Sequence, residues 1–105
     1  VPEGSNFTIQ NDASDIKSYQ NNGSYADEFS RIIINKNLTD SLIGDNSQSI
    51  LNTSEEKIYS SVFKNETIYK YVSMHDDVDV ILIGDDLNLL KEIADTIKIK
   101  DVKNL

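Results

Sequence analysis

The segment from Lys57 to Ile83 constrains the fold more than any other part of the chain. It reads KIYSSVF (57 to 63), the turn KNE, TIYKYVSM (67 to 74), the turn HDD and VDVILI (78 to 83). Runs this rich in β-branched and aromatic residues, bounded by polar turn formers, read as strands. A parallel pair needs a crossover of a dozen or more residues, and links this short cannot hold one. The segment therefore predicts a three-stranded antiparallel meander, around which the rest must be arranged.

A helix is expected to follow. In ILIGDDLNLLKEIADTI (81 to 97), Leu87, Leu90, Ala94 and Ile97 recur at spacings of three and four, and Leu89 and Ile93 widen the stripe. Asn88, Lys91, Glu92, Asp95 and Lys98 fall on the opposite side, as an amphipathic helix requires. The strand face carrying Val78, Val80 and Leu82 is its natural seat, which leaves Asp79, Ile81 and Ile83 on the other face.

Upstream, NFTIQ (6 to 10), IKSYQ (16 to 20) and EFSRIIIN (28 to 35) add three strands, with a turn at 12 to 14. Asn22-Gly23 predicts a tight hairpin turn at positive φ. In the third strand, alternation puts Phe29 and Ile33 on one face and Ile32 and Ile34 on the other. Between Lys36 and Asn52 the apolar pairs at 42/43 and 50/51 predict a short central helix interrupted by Gly44. The expectation is a single α+β domain over residues 1 to 105, with flexible ends at 1 to 4 and 101 to 105. It is one antiparallel sheet of about six strands, covered on one face by the C-terminal helix and by the short central helix.

Eighteen acidic residues against ten basic give a net charge of -8. Such a surface repels phosphate backbones and anionic headgroups, which argues against nucleic acid as a partner. No apolar run approaches the roughly 20 residues of a spanning helix, so direct membrane insertion is not expected. The chain has no cysteine, which removes disulfides and thiolate chemistry.

Asp85 and Asp86, between the last strand and the helix, admit two readings. Paired carboxylates at a strand end can hold a divalent cation. An Asp just before an apolar helical stripe is also the ordinary way to start a helix, its side chain accepting from free N–H groups of the first turn. The antiparallel context favours the cap. His75, Asp76, Asp77 and Asp79 resemble the start of a calcium loop, but Val80, Ile81 and Leu82 follow where further oxygen ligands belong. Asp76, Asp77 and Asp79 are thus at most a weak metal site, with calcium as the one cofactor to consider. Serines are plentiful, yet none lies in G-x-S-x-G, and the glycines at 4, 23, 44 and 84 form no phosphate-binding pattern. No catalytic residue is assigned.

Tyr59, Tyr69 and Tyr71, with Ile81 and Ile83, are the candidate interaction surface, set against the ordinary use of tyrosine on half-buried strands. Ile81 and Ile83 predict an apolar patch on the second face, which a homodimer or the segment from Leu42 to Leu51 would cover.

Five acceptor motifs for N-glycosylation occur, at Asn6, Asn22, Asn37, Asn52 and Asn65, where this composition predicts about two by chance. Four fall at expected turns or loops, where a glycan is tolerated.

The order of PEG and FTI near the start, the NNGS turn, TIYKYVSM and the terminal IGDDLNLLKEIADTIKI resembles small uncharacterised extracytoplasmic domains of methanogenic archaea. These share an antiparallel sheet and C-terminal helix with PsbP-like modules. The resemblance implies no activity and carries no site residues. Together these readings lead to an exported, non-enzymatic binding domain of a secreted or surface-anchored protein, engaging a protein or cell-envelope component. The alternative is a divalent-metal-dependent hydrolase built on Asp76, Asp77, Asp79, Asp85 and Asp86.

Overall fold

A computed structural model describes residues 3–36, 47–75 and 78–96. The strands are β1 (Phe7–Asp12), β2 (Ile16–Asn21), β3 (Arg31–Asn35), β4 (Gln48–Asn52), β5 (Glu56–Phe63), β6 (Glu66–His75) and β7 (Val78–Gly84), followed by helix α1 (Leu87–Thr96). They form one sheet in the order β1-β2-β3-β7-β6-β5-β4, and every neighbouring pair is antiparallel. The meander β5-β6-β7 is present as its short links require, with β7 between β3 and β6.

The seventh strand, β4, is the one the sequence hides. The short helix expected within residues 36 to 52 does not take in 48 to 52, which pair with β5 instead. A β-bulge between Ser49 and Leu51 adds one residue, Ile50, and so makes Ile50 and Leu51 an adjacent apolar pair. The bulge breaks the period of two by which a strand is recognised. Residues 37 to 46, which hold the rest of the expected central helix and Asn37, lie outside the described residues.

The first face holds the main core. Ile34, Ile58, Tyr71, Val78, Val80 and Leu82 pack with Phe29 and with Leu90 and Ile93 of α1, all buried. The helix therefore sits where the alternation in β7 placed it. Ten residues are too few for an isolated helix, so packing must supply its stability, about 1.5–3 kcal/mol for each fully buried Leu or Ile.

Phe29 corrects an expectation. It lies on the helix face with Ile32 and Ile34, opposite Ile33, because β3 begins only at Arg31 and Phe29 belongs to the preceding turn. Its ring meets Phe7 edge-on at 5.4 Å between centroids. The turn is not a tight Asn-Gly hairpin either: neither Asn22 nor Gly23 has positive φ, and the left-handed residue is Tyr25, at φ 63°. Gly23 is needed for a different reason, since a Cβ there would collide with the backbone of Gly4 and Asn6. A true two-residue turn occurs at the β5–β6 tip, where Lys64 and Asn65 take φ of 51° and 64°.

The second face has its own apolar centre. Val72, Ile81 and Ile33 are exposed by only 0%, 1% and 8%, with Ile16, Tyr59, Met74 and Ile83 packed around them. The exposed patch expected there, on which a homodimer would rest, is thus closed to solvent at its centre within one chain.

Candidate functional site

β5 and β6 form the longest ladder of the sheet, from Glu56 opposite Ser73 to Phe63 opposite Glu66. Their two ends carry the two features that could contact other molecules.

At the first end is a cleft of about 630 Å³, lined by Ser54, Glu55, Glu56, Tyr71, Ser73, Met74 and His75. Strand alternation builds it, because Tyr71, Ser73 and His75 share a face of β6 and Glu56 lies opposite Ser73. Backbone bonds hold the corner: Thr53 N donates to Glu56 O at 3.0 Å, and Met74 N to Glu55 O at 2.9 Å. The Thr53 hydroxyl oxygen also accepts from Glu56 N at 3.0 Å.

Inside, the Tyr71 hydroxyl donates to the Glu56 carboxylate. Burial, this bond and the negative charges of Glu56 and Asp95 raise the Tyr71 phenol well above its ordinary range. The Ser73 hydroxyl and His75 Nε2 are 2.8 Å apart. A hydroxyl beside an imidazole is the first requirement of a nucleophilic site. The second is a set of donors for a developing oxyanion, whereas this cleft presents the carboxylates of Glu55 and Glu56.

At the other end, the β5–β6 ribbon extends past its neighbours. The last pair with β4 is Gln48 with Ser60, and the last with β7 is Tyr69 with Gly84. From Ser61 to Ile68 the two strands pair only with each other in these ladders. Val62 and Phe63 on this arm are 72% and 66% exposed, and Ile50 in neighbouring β4 is 54% exposed. The Lys64 ammonium lies 5.3 Å from the centre of the Phe63 ring.

Among the described residues, Asp79 does not share one centre with Asp85 and Asp86. Asp79 sits on the second face near one end of β7, and Asp85 follows the other end. At about 3.3 Å per residue they are roughly 20 Å apart. Asp76 and Asp77 lie outside the described residues, and among the described residues no group of three or more His, Asp or Glu is arranged to hold a metal ion. Burial raises the Asp79 carboxyl, partly offset by the positive charges of Lys57 and His75.

Asp85 and Asp86 have separate roles. Asp86 caps α1, its Oδ1 accepting from Leu89 N at 3.1 Å. Asp85 donates its backbone N–H to Asp27 O at 3.0 Å, and its carboxyl is raised by burial and by the charges of Glu28, Asp27, Glu66 and Asp86.

The three tyrosines do not form one platform. Tyr69 and Tyr71 lie on the helix face, while Tyr59, paired with Lys70, lies on the second face with Ile81 and Ile83. Tyr71 and Ile81 are buried and Ile83 half-buried.

Of the five glycosylation acceptors, Asn6, Asn22, Asn52 and Asn65 are all exposed. Asn21 and Asn35, which are not acceptors, are buried. Asn21 is the residue sequence reasoning missed. Its Oδ1 accepts from Asn6 N at 3.0 Å and Gly23 N at 2.9 Å, and its Nδ2 donates to Ser24 O at 3.0 Å and Phe29 O at 2.9 Å.

No protein-family model, curated protein or solved structure matches this chain. Among the described residues no helix is long and apolar enough to cross a membrane.

Proposed function

We propose that this chain is an exported, non-enzymatic binding domain of a secreted or surface-anchored protein, and that it engages a protein or cell-envelope component through the β5–β6 arm. The arm carries the reading. Val62 and Phe63 stand exposed on a ribbon unsupported by β4 or β7, while the large aliphatic side chains of the central strands are buried or half-buried. Consecutive strand residues project to opposite faces, so the arm offers a partner one exposed apolar side chain on each side of the ribbon. The apolar centre of the second face is closed, so the contact surface is the arm and the adjoining edge strand β4.

The extracytoplasmic assignment draws support from the acceptor asparagines. Those described all face solvent, and a buried acceptor would have counted against their use. Asn65 lies on the arm itself, so a glycan there would flank Phe63 and limit how a partner approaches.

Retention on the envelope fraction of the native host tests the reading, comparing the wild type with the double variant Val62→Ser, Phe63→Ser. Both positions are exposed, so the variant should unfold at the wild-type temperature and lose retention. Equal retention of the two proteins would remove the arm as the contact surface.

A further inference from the structure

We propose that Asn22-Gly23 is a latent site of spontaneous deamidation, and that Asn21 and Thr8 hold it unreactive in the folded chain. The reaction needs only water and the two residues themselves. The Gly23 backbone nitrogen attacks Asn22 Cγ and forms the new N–Cγ bond of a cyclic succinimide. The Cγ–Nδ2 bond breaks, and ammonia leaves carrying the proton that Gly23 gives up. Water then opens the ring at either carbonyl, to aspartate or to a β-linked isoaspartate. Glycine obstructs this attack least, since it has no Cβ beside the nucleophile.

Both reacting groups are tied down. Gly23 N–H donates to Asn21 Oδ1 at 2.9 Å, so the proton that must leave is engaged. Asn22 Nδ2, the leaving nitrogen, donates to the Thr8 hydroxyl oxygen at 2.7 Å, and ring closure must release it. The backbone is fixed on either side, with Asn22 N donating to Asn6 O at 2.7 Å and Ser24 N to Gly4 O at 2.9 Å. A Cβ on Gly23 would collide with Gly4 and Asn6, so residues 4 to 6 press on the very residue that must move. Asn22 is exposed to water, and its protection is therefore hydrogen bonding and not burial. Attack must wait for local opening of the turn. Isoaspartate adds one atom to the main chain between the bonds from Asn22 N and Ser24 N, so the product no longer fits both Asn6 and Gly4.

Peptide mass spectrometry of unglycosylated recombinant protein at pH 8 and 37 °C, with aspartyl and isoaspartyl products separated, measures the rate at Asn22. The folded wild type should react roughly tenfold or more slowly than the same chain in urea, because opening precedes attack. Thr8→Val removes the acceptor of Nδ2 and should speed the folded reaction roughly threefold or more, the factor that one net hydrogen bond confers. Thr8→Ser keeps the hydroxyl and should leave the rate unchanged. Asn21→Ala frees the Gly23 N–H and should also speed the reaction, whereas Ile58→Val, which weakens the core from β5 across the sheet, should not. Thermal melts show which variants are folded at 37 °C, and the two Thr8 variants, changed at an exposed position, decide the matter if Asn21→Ala is not. A folded wild type that reacts as fast as the chain in urea, equal rates in Thr8→Val and Thr8→Ser, or an equal rise in folded Asn21→Ala and Ile58→Val overturns the proposal.

Discussion

Asp85 and Asp86 are adjacent and have the same side chain, and only Asp86→Ala is expected to lower stability. Asp86 accepts one hydrogen bond from Leu89 N at 3.1 Å, in the N-cap position of α1. The first turn of α1 carries no other acidic residue and its last turn no basic one, so little else offsets the helix dipole. Loss of an N-cap Asp costs about 0.5–2 kcal/mol, and exposure of Asp86 puts the expected loss near the middle, about 1 kcal/mol. In a domain of this size that lowers the unfolding midpoint by roughly 5 °C. A loss above about 3 kcal/mol would mean that α1 undocks and exposes Leu90 and Ile93, each worth about 1.5–3 kcal/mol. Asp85 makes no such bond through its side chain in the structure and is surrounded by Glu28, Asp27, Glu66 and Asp86. Asp85→Ala should leave the midpoint unchanged or raise it. Circular dichroism melts of the two single variants at pH 7 decide the matter. An unchanged midpoint in Asp86→Ala, or equal lowering in both, refutes the assignment of the cap to Asp86 alone.

Asn21→Ala leaves the buried Phe29 carbonyl and three partly buried backbone groups of the turn without their partner, at about 1–3 kcal/mol for an unsatisfied buried group, so urea unfolding should show a loss of about 2 kcal/mol. Gly84→Ala drives a Cβ into the backbone carbonyl of Glu28 and should cost more than the roughly 1–3 kcal/mol typical of overpacking, read as loss of a folded spectrum at 37 °C. Asp79 and Asp85 both have carboxyls raised above the ordinary value of 3.8 by folding, so their charged forms oppose the native state. Stability from these two groups should therefore rise as pH falls from neutral through their raised range and level off below 3.8, and the double variant Asp79→Asn, Asp85→Asn should flatten that rise in melts taken from pH 8 to pH 4. Intact mass of protein from its native host should exceed that of the bare chain by one or more glycans, and a mass equal to the bare chain would remove the support for an extracytoplasmic site.

The parts of the fold legible in the sequence were those in which one local signal persists over a whole element. β5, β6 and β7 are runs of β-branched and aromatic residues between polar turn formers, and their short links leave only the antiparallel meander. The stripe of α1 was legible for the same reason, down to its seat on Val78, Val80 and Leu82. β4 was lost because the bulge at Ile50 sets two apolar residues side by side. The face of Phe29 was misread because alternation was carried two residues too far upstream, past Arg31, where β3 begins. In the turn that follows β2, Asn22-Gly23 gave a strong local signal, yet the turn's shape comes from Asn21, whose four partners lie on both sides of it.

The cleft was illegible for a related reason. Glu56 and Ser73 are separated by 17 positions in the chain and meet only because β5 and β6 pair with a particular register. A slip of one residue would carry Tyr71, Ser73 and His75 out of line with Glu56. What fixes that register is the two-residue turn at Lys64-Asn65, at the far end of the ladder, because a tight turn determines which residues face each other along the whole hairpin. The exposed arm and the polar cleft are therefore coupled through one structural decision. The turn that leaves Val62 and Phe63 projecting also aligns Glu56 with Ser73, so Asn65→Val, which disfavours the left-handed turn, should disturb both ends of the ladder. Shifts in the amide signals of Ser73 and His75 in that variant, some eight to ten residues along β6 from the substitution, would show the register moving as a unit. If those signals stay in place while only the tip changes, pairing with β7, Val72 against Ile81 and Tyr71 against Leu82, is what holds the register.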